Sequence, residues 1–249
     1  MNTEKLQWCR AIPGELIYSN DVHVWRASLD LTTVQSESLL GILSPDELAR
    51  AGRLRFVKDQ KKFVAARGIL RMILGHYLGK KPIELRFEYS SYGKPILATN
   101  AGYDSLHFNL SHSDVIALYA ISRGRNIGID IERVQDNIEV EQVAGRFFSL
   151  GEISSLDSVD KKNRSGTFFQ YWTRKEAFIK AKGEGISFPM ENCDVSLMSA
   201  KNLSPIILLG ENRENSSWYG QDLFPGHGYA AAIAVEGGDC DLSCWHYSL

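Results

Sequence analysis

Residues 63–75 read FVAARGILRMILG and residues 169–183 read FQYWTRKEAFIKAKG: two basic, apolar-faced stretches, one in each half of the chain, both ending in glycine. The first sits in a longer run, 59–78, where Phe63, Ala66, Leu70, Ile73, Leu74 and Tyr77 recur at helical spacing and Gly79 is placed to stop the helix. The second sits in a helix predicted over 165–182. Outward from the first, a half-buried strand is expected at 22–29, and Ser44, Pro45 and Glu47 form a helix-start signature. Strands follow at 84–89, 107–109 and 115–121, separated by turns at Gly93, Pro95 and Gly102. After a tight turn at 123–126 a strand at 127–131 opens a second cycle. Helices at 139–148 and 150–156 precede the 165–182 helix, and extended segments at 194–197, 205–209, 229–235 and 242–247 follow it. Helix then strands, twice, is an α+β pattern of two similar halves, 1–122 and 123–249. A duplication would set those halves about a shared cleft, where ligands often bind.

Bulk properties exclude several classes. A chain of 249 residues, 44% hydrophobic and 23% charged, has the composition of an ordinary globular protein. A formal charge of -2 gives no general basic field, so nucleic acid and membrane partners are not implied, and any anion site must be local. The four cysteines form no CxxC pair and are expected as reduced thiols. Residues 1–10 lack the apolar stretch of a signal peptide, and no apolar run approaches the ~20 residues of a membrane helix, which points to the cytoplasm.

Chemistry concentrates in a few segments. In Ile127-Gly128-Ile129-Asp130-Ile131-Glu132, strand alternation sends Asp130 and Glu132 to one face. Neighbouring carboxylates raise one another's pKa, so a hard divalent ion such as Mg²⁺ is a natural companion; a solvated strand face is the plain alternative. In Trp172-Thr173-Arg174-Lys175-Glu176 and on to Lys180, Glu176 and Lys180 share a helix face. They read either as an exposed ion pair or as a third oxygen ligand with Lys175 and Lys180 neutralising phosphate charge. In Phe108-Asn109-Leu110-Ser111-His112-Ser113 a short strand is expected to end in polar residues that could meet phosphate. Arg50, Arg53, Arg55, Lys58, Lys61, Lys62, Arg67 and Arg71 make the region of the first long helix cationic, and Lys94 adds a charge on a turn.

In order, Gly93-Lys94-Pro95, the 108–113 segment, the 128–132 segment, Phe147-Phe148 with Glu152, and 172–176 with Lys180 and Gly183 match a motif series. Over about 44–188 the chain resembles the 4′-phosphopantetheinyl transferases of the broad-specificity, surfactin-synthetase-activating type. That resemblance implies a pseudo-twofold α+β monomer with coenzyme A between the halves, 1–122 on the coenzyme A side and 123–249 carrying the metal ligands and the catalytic helix. By motif position, Asp130, Glu132 and Glu176 are the implied Mg²⁺ ligands. Lys94, Ser111, His112 and Lys180 are implied phosphate contacts, with Arg53 and Arg67 further candidates. The implied reaction is that of a holo-[acyl-carrier-protein] synthase: attack by a serine of an acyl, peptidyl or polyketide carrier protein on coenzyme A, releasing adenosine 3′,5′-bisphosphate. Glu152 holds the family position of the base, with Glu176 or a metal-held water as competitors, and Lys180 is placed to act on the departing phosphate. Ser149 and Glu152, however, also read as a helix-capping box. Phe148, Ile153 and Leu156 offer an apolar patch for the carrier. A Mg²⁺-dependent nucleotide phosphohydrolase and a non-catalytic coenzyme A or carrier-binding module are the competing readings.

Overall fold

The computed structural model describes residues 8–10, 16–98, 105–210 and 217–249; Gly102 lies outside them. The chain opens with β1 (Trp8–Arg10), β2 (Asp21–Ser28), α1 (Thr33–Leu40), α2 (Pro45–Gly52) and α3 (Val57–Leu78). A small hairpin, β3 (Phe87–Tyr89) and β4 (Pro95–Leu97), leads to β5 (Leu106–Ser113) and β6 (Ile116–Arg123). The second cycle runs β7 (Ile127–Arg133), α4 (Val140–Phe147), α5 (Leu150–Asp157) and α6 (Lys161–Lys182). Short strands β8 (Cys193–Asp194), β9 (Ser204–Pro205) and β10 (Ile207–Leu208) precede β11 (Trp218–Leu223), β12 (Tyr229–Glu236) and β13 (Asp241–His246). This is the α+β class expected.

The strands make two main sheets, ordered β1-β13-β2-β6-β5 and β7-β12-β11-β9. Their inner faces meet in one apolar cluster, Val22, Val24, Leu118 and Ala120 from the first against Ile127, Ile129, Ile131 and Ile233 from the second. On the outer face of the first sheet α3 packs Ile69, Leu70 and Ile73 against Trp25, Tyr119 and Ile121. On the outer face of the second, α6 packs Phe178 and Ala181 against Ala230, Ala232 and Ala234. The result is four layers, helix, sheet, sheet, helix, each sheet buried on both faces, which explains why β6 and β12 are apolar almost throughout. We keep the division after residue 122 as a proposal; the last strand, β13, crosses back to pair with β2 in the first sheet.

The repeat is visible in detail. Helices α3 and α6 each have 22 residues and end at a left-handed glycine, Gly79 and Gly183. Each is preceded by a short helix with a capping box, Ser44 with Glu47 and Ser149 with Glu152. Each boxed glutamate is fully buried against a cation at the same place on the long helix: Glu47 with Arg71 at 2.6 Å, Glu152 with Lys175 at 2.8 Å. Gly75, which ends the quoted 63–75 stretch, is interior to α3; Gly79 is the residue equivalent to Gly183.

Several expectations are revised. β5 does not stop at Asn109 but runs through Ser113, because it pairs with β6 along its whole length, and Asn109, Ser111 and Ser113 each find a partner on β7. The extended segment at 194–197 is strand only at Cys193–Asp194. Helix α1, with only Leu39 buried, and β11, interrupted by glycine, glutamine and aspartate, have no clear periodic signal and were not anticipated.

Gly128 fixes how closely α6 lies on β7. A Cβ there would run into the backbone of Ala177 and Ala181, and the neighbouring β12 carries alanine opposite Gly128, Asp130 and Glu132. Gly128→Ala is therefore expected to cost about 2 kcal/mol or more, as overpacking does, read as a lower urea midpoint; a wild-type midpoint would show the helix free to lift. On the other side of the molecule His23, 3% exposed, has Nδ1 2.7 Å from the Tyr77 hydroxyl, which also accepts from Trp25 Nε1. Burial holds the His23 pKa below its ordinary value against the raising effect of Asp21. The folded state therefore resists a proton that the unfolded chain takes up below about pH 6.5. Its contribution is complete above that pH and is lost as pH falls toward the depressed pKa. The stability loss between pH 7 and 5 should be smaller in His23→Gln than in the parent; equal losses would remove His23 from the account.

Candidate active site

β5 is an edge strand of the first sheet and β7 an edge strand of the second, and they run side by side without a backbone ladder between them. Side chains join them instead. Asn109 Oδ1 accepts from the Ile129 amide at 2.9 Å, Ser111 Oγ donates to Asp130 Oδ1 at 2.8 Å, and Ser113 Oγ donates to Glu132 Oε2 at 2.9 Å. Ser113 Oγ also accepts from the Arg133 amide at 2.9 Å. Alternation puts these three residues on the face toward β7, while His112 turns to the other face.

Helix α6 closes the cluster. Lys180 Nζ donates to Asp130 Oδ1 at 2.6 Å and to Ser111 Oγ at 3.1 Å. Lys94 spans from its turn to both partners, donating to the Lys180 carbonyl at 2.6 Å and the Ile127 carbonyl at 3.2 Å. Burial, and then the charge of Lys180, lower the Lys94 pKa to about 8. Burial likewise holds the His112 pKa below the ordinary imidazole value, with Lys180 and Lys62 adding to the effect.

The three carboxylates sense one another. Burial and then the charge of Asp130 raise the Glu132 pKa, with Ser113 and Lys180 acting against them. Burial raises that of Glu176; Lys180 opposes this, and Asp130 and Glu132 add to it. Asp130 is 3% exposed, and its Oδ2 is buried with no hydrogen-bond partner. Among the described residues no group of three or more His, Cys, Asp or Glu side chains stands close enough to hold a metal ion by itself. The donor chemistry nevertheless fits a hard cation that takes its other ligands from phosphate and water: all oxygens, with one buried and unused. A cavity of about 260 Å³ borders the cluster, lined by Tyr92, Lys94, Asn109, Glu176 and Lys180 among others. One of about 440 Å³ on the far side of Lys94 is lined by His107, Asn126 and Lys182 among others.

Asp130, Glu132, Glu176, Lys180, Lys94 and Ser111 thus come together, with His112 within the field of Lys180. The structure keeps three other candidates apart from them. Arg53 is exposed at the end of α2. Arg67 is buried with Nε 3.4 Å from Glu47 Oε1, under the rings of Phe63, Phe87 and Tyr89. Glu152 is fully buried, accepting from the Ser149 amide at 2.8 Å and the Val195 amide at 3.0 Å beside its Lys175 pair. Lys175 is not a phosphate-facing cation: it donates to the Met190 and Cys193 carbonyls in the core. Glu176 and Lys180 do not form the exposed pair their spacing allowed, since Lys180 pairs with Asp130. Phe148 and Leu156 are core residues, 3% and 2% exposed, with Ile153 packed against the same core. Asn109 and Ser113, which no spacing argument had singled out, are recognisable once 107–113 is read as one alternating strand.

The chain is similar to known proteins along most of its length. The family model described as "4'-phosphopantetheinyl transferase, N-terminal" matches residues 27–123, and that of the "4'-phosphopantetheinyl transferase superfamily" matches residues 126–234. The chain is 40% identical over 240 residues to the 4'-phosphopantetheinyl transferase HetI of Nostoc sp., covering 96% of this chain and 98% of the relative. It is 31% identical to the putative 4'-phosphopantetheinyl transferase slr0495 of Synechocystis sp., over 78% of this chain and 76% of the relative. With the 4'-phosphopantetheinyl transferase Sfp of Bacillus subtilis it shares 30% identity, over 67% of this chain and 72% of the relative.

The setting of Glu152 yields a test. Glu152→Gln leaves the Lys175 ammonium without its counter-charge in the core, which should cost about 3–5 kcal/mol of stability, while the transfer rate per folded molecule stays within a few-fold of the parent. A variant as stable as the parent but without transfer activity would return Glu152 to the chemistry.

Proposed function

The chain belongs to the 4'-phosphopantetheinyl transferase family and is an enzyme of that class; we propose that its cleft between β5, β7 and α6 binds coenzyme A with Mg²⁺ and passes the phosphopantetheine arm to a carrier-protein serine. The observation that carries the reading is Asp130: a buried carboxylate with one oxygen held by Ser111 and Lys180 and the other unused. Asp130, Glu132 and Glu176 would hold the metal. When bound, Mg²⁺ supplies charge neutralisation to the pyrophosphate and to the leaving group.

The rest of the chemistry falls to the protein's own groups. Lys180, 30% exposed at its side chain, presents an ammonium that can donate to a phosphate oxygen. Lys94 and Ser111 extend that donor set along the seam, with His112 on the other face of β5, and the pKa of Lys94 is lowered by burial first and then by the charge of Lys180, which a polyanion would offset. In the transfer, the serine oxygen forms a bond to the β-phosphorus of coenzyme A, and the bond from that phosphorus to the bridging oxygen breaks. Adenosine 3′,5′-bisphosphate leaves with the electron pair, stabilised by Lys180. The serine proton passes to a carboxylate, and Glu176, which lines the cavity beside Lys180, is placed for this. Glu152 has both oxygens engaged in the core, which supports a positioning place for it. Acyl, peptidyl and polyketide carriers all offer the required serine. We further propose a monomer in the cytoplasm; in support, no disulfide joins the described cysteines, and no described helix is long and apolar enough to cross a membrane.

The test is to incubate the protein with an apo carrier protein, coenzyme A and Mg²⁺ and to weigh the carrier. A gain of one phosphopantetheine is expected, abolished by chelation or by Asp130→Ala. Release of phosphate without carrier modification would replace the transferase reading with hydrolysis. Lys180→Ala should slow transfer roughly 10²–10³-fold with a much smaller loss in coenzyme A affinity; equal losses would make it a binding residue only.

A further inference from the structure

A larger cavity, about 900 Å³, opens at the end of the two-sheet core, where β2, β7 and β13 finish and β6 and β12 begin. Its walls carry Arg10, Arg26, Arg133 and His246, with Ile116 and Tyr229 beside them. Three strands, from both sheets, therefore bring three guanidinium groups to one space. Arg133 continues the β7 strand of Asp130 and Glu132, but alternation sends it to the opposite face.

None of the three arginines forms an ion pair among the described residues. Arg133 lies over the Tyr229 ring at 5.1 Å, and Asp114, the nearby acid, is engaged by Lys62 at 3.7 Å and by the Tyr229 hydroxyl at 3.4 Å. Burial lowers the Arg26 pKa, only partly offset by Tyr229, as for a cation partly out of water and without a counter-ion. Burial and then Arg26 also lower that of His246. The segment between β11 and β12 forms one rim through Gly226 (φ 151) and Gly228 (φ 80). A Cβ at 226 would lie 3.6 Å from Arg26 Nη2, and one at 228 would lie 3.6 Å from Arg133 Cζ. The rim thus lies against both guanidinium groups, leaving their other donors to line the cavity.

Like charges gathered with no ion pair among the described residues raise the free energy of the empty protein, and each guanidinium offers the forked donors that phosphate and carboxylate accept two at a time. We propose that this cavity is a second anion site, on the opposite face of β7 from the catalytic carboxylates, for a small polyanion with at least two phosphate or carboxylate groups. The volume is within the range of small-molecule sites. Nothing in the transfer reaction uses these residues, so the site adds a ligand to those the reaction requires.

The experiment is calorimetric titration of the whole protein, first saturated with coenzyme A so that the cations of the cleft are engaged, with inorganic pyrophosphate and separately with citrate at low salt. One further equivalent should bind, and the tighter probe tells phosphate chemistry from carboxylate. Arg26→Gln and Arg133→Gln should each weaken it by roughly tenfold or more, with coenzyme A affinity kept as the control for folding, while Lys180→Ala leaves it unchanged. If those variants do not fold, Arg10→Gln on the exposed first strand gives the same readout. No further equivalent of either probe, or unchanged affinity in the folded arginine variants, overturns the proposal. So does a result in which neither anion binds but the arginine variants raise KM for the carrier, since that assigns the patch to an acidic protein surface.

Discussion

Two sheet edges have to be joined without pairing their backbones, and the molecule is organised around the way β5 and β7 do it. An open edge leaves amides and carbonyls to find partners elsewhere. Here Asn109, Ser111 and Ser113 reach across in strand alternation, two of them satisfying β7 amides and two binding its carboxylates. Two of the four bonds that close the seam therefore also orient Asp130 and Glu132. A carboxylate held this way needs no flexible loop, which suits the proposed chemistry, dependent on a preorganised set of charges. Lys94 completes the arrangement by bridging carbonyls of α6 and β7, so that the helix carrying Glu176 and Lys180 is tied to the strand carrying Asp130.

The duplicated plan shows what each half contributes. Counted back from Gly79 and Gly183, Glu176 of α6 corresponds to Met72 of α3, and Lys180 corresponds to His76. The long helix of the first half therefore repeats the scaffold without the acid and the lysine of α6. Where the second half has carboxylates between strand and helix, the first has an aromatic core in which Trp25 meets Tyr77 edge to face and lies tilted against Trp245, with the buried His23 edge to face with Trp245. What both halves keep is the boxed glutamate with a buried cation. Its presence beside a long helix that carries neither that acid nor that lysine is the strongest argument that Glu152, like Glu47, anchors a short helix to a long one.

Much of this was legible in the sequence, for identifiable reasons. The long helices, the Ser44 cap, the Gly79 and Gly183 stops and the β7 strand all follow from local chemistry: periodicity, capping hydroxyls and left-handed glycines. The Asp130-Glu132 pair followed from alternation alone. The depth of Glu152 and Lys175 could not be read, because a capping box and a lysine on a helix look the same whether solvent or core surrounds them. The seam was missed for a related reason: Ser111-His112-Ser113 has turn composition, and its extension comes from pairing with β6 while its use comes from the edge strand of another sheet. β11 was hidden because its glycine, glutamine and aspartate serve tertiary contacts, as when Asp222 accepts both Arg174 bonds at 2.7 Å.

The two ion pairs of the second half make the difference between structural and functional charge concrete. In the Glu152–Lys175 pair both side chains are fully buried, both carboxylate oxygens are engaged, and the ammonium has two backbone carbonyls besides. Such a pair is complete, and any ligand approaching it could only take bonds away. In the Asp130–Lys180 pair the ammonium is partly exposed and Asp130 Oδ2 is buried with nothing to accept from. A buried polar atom left without a partner costs about 1–3 kcal/mol, and two further carboxylates in the same field, with raised pKa values, add to the strain. Packing alone would have removed that cost with a neutral side chain at position 130. Its persistence beside a partly exposed lysine fits a place where charge is completed from outside, by a cation on the free oxygen and a phosphate on the ammonium.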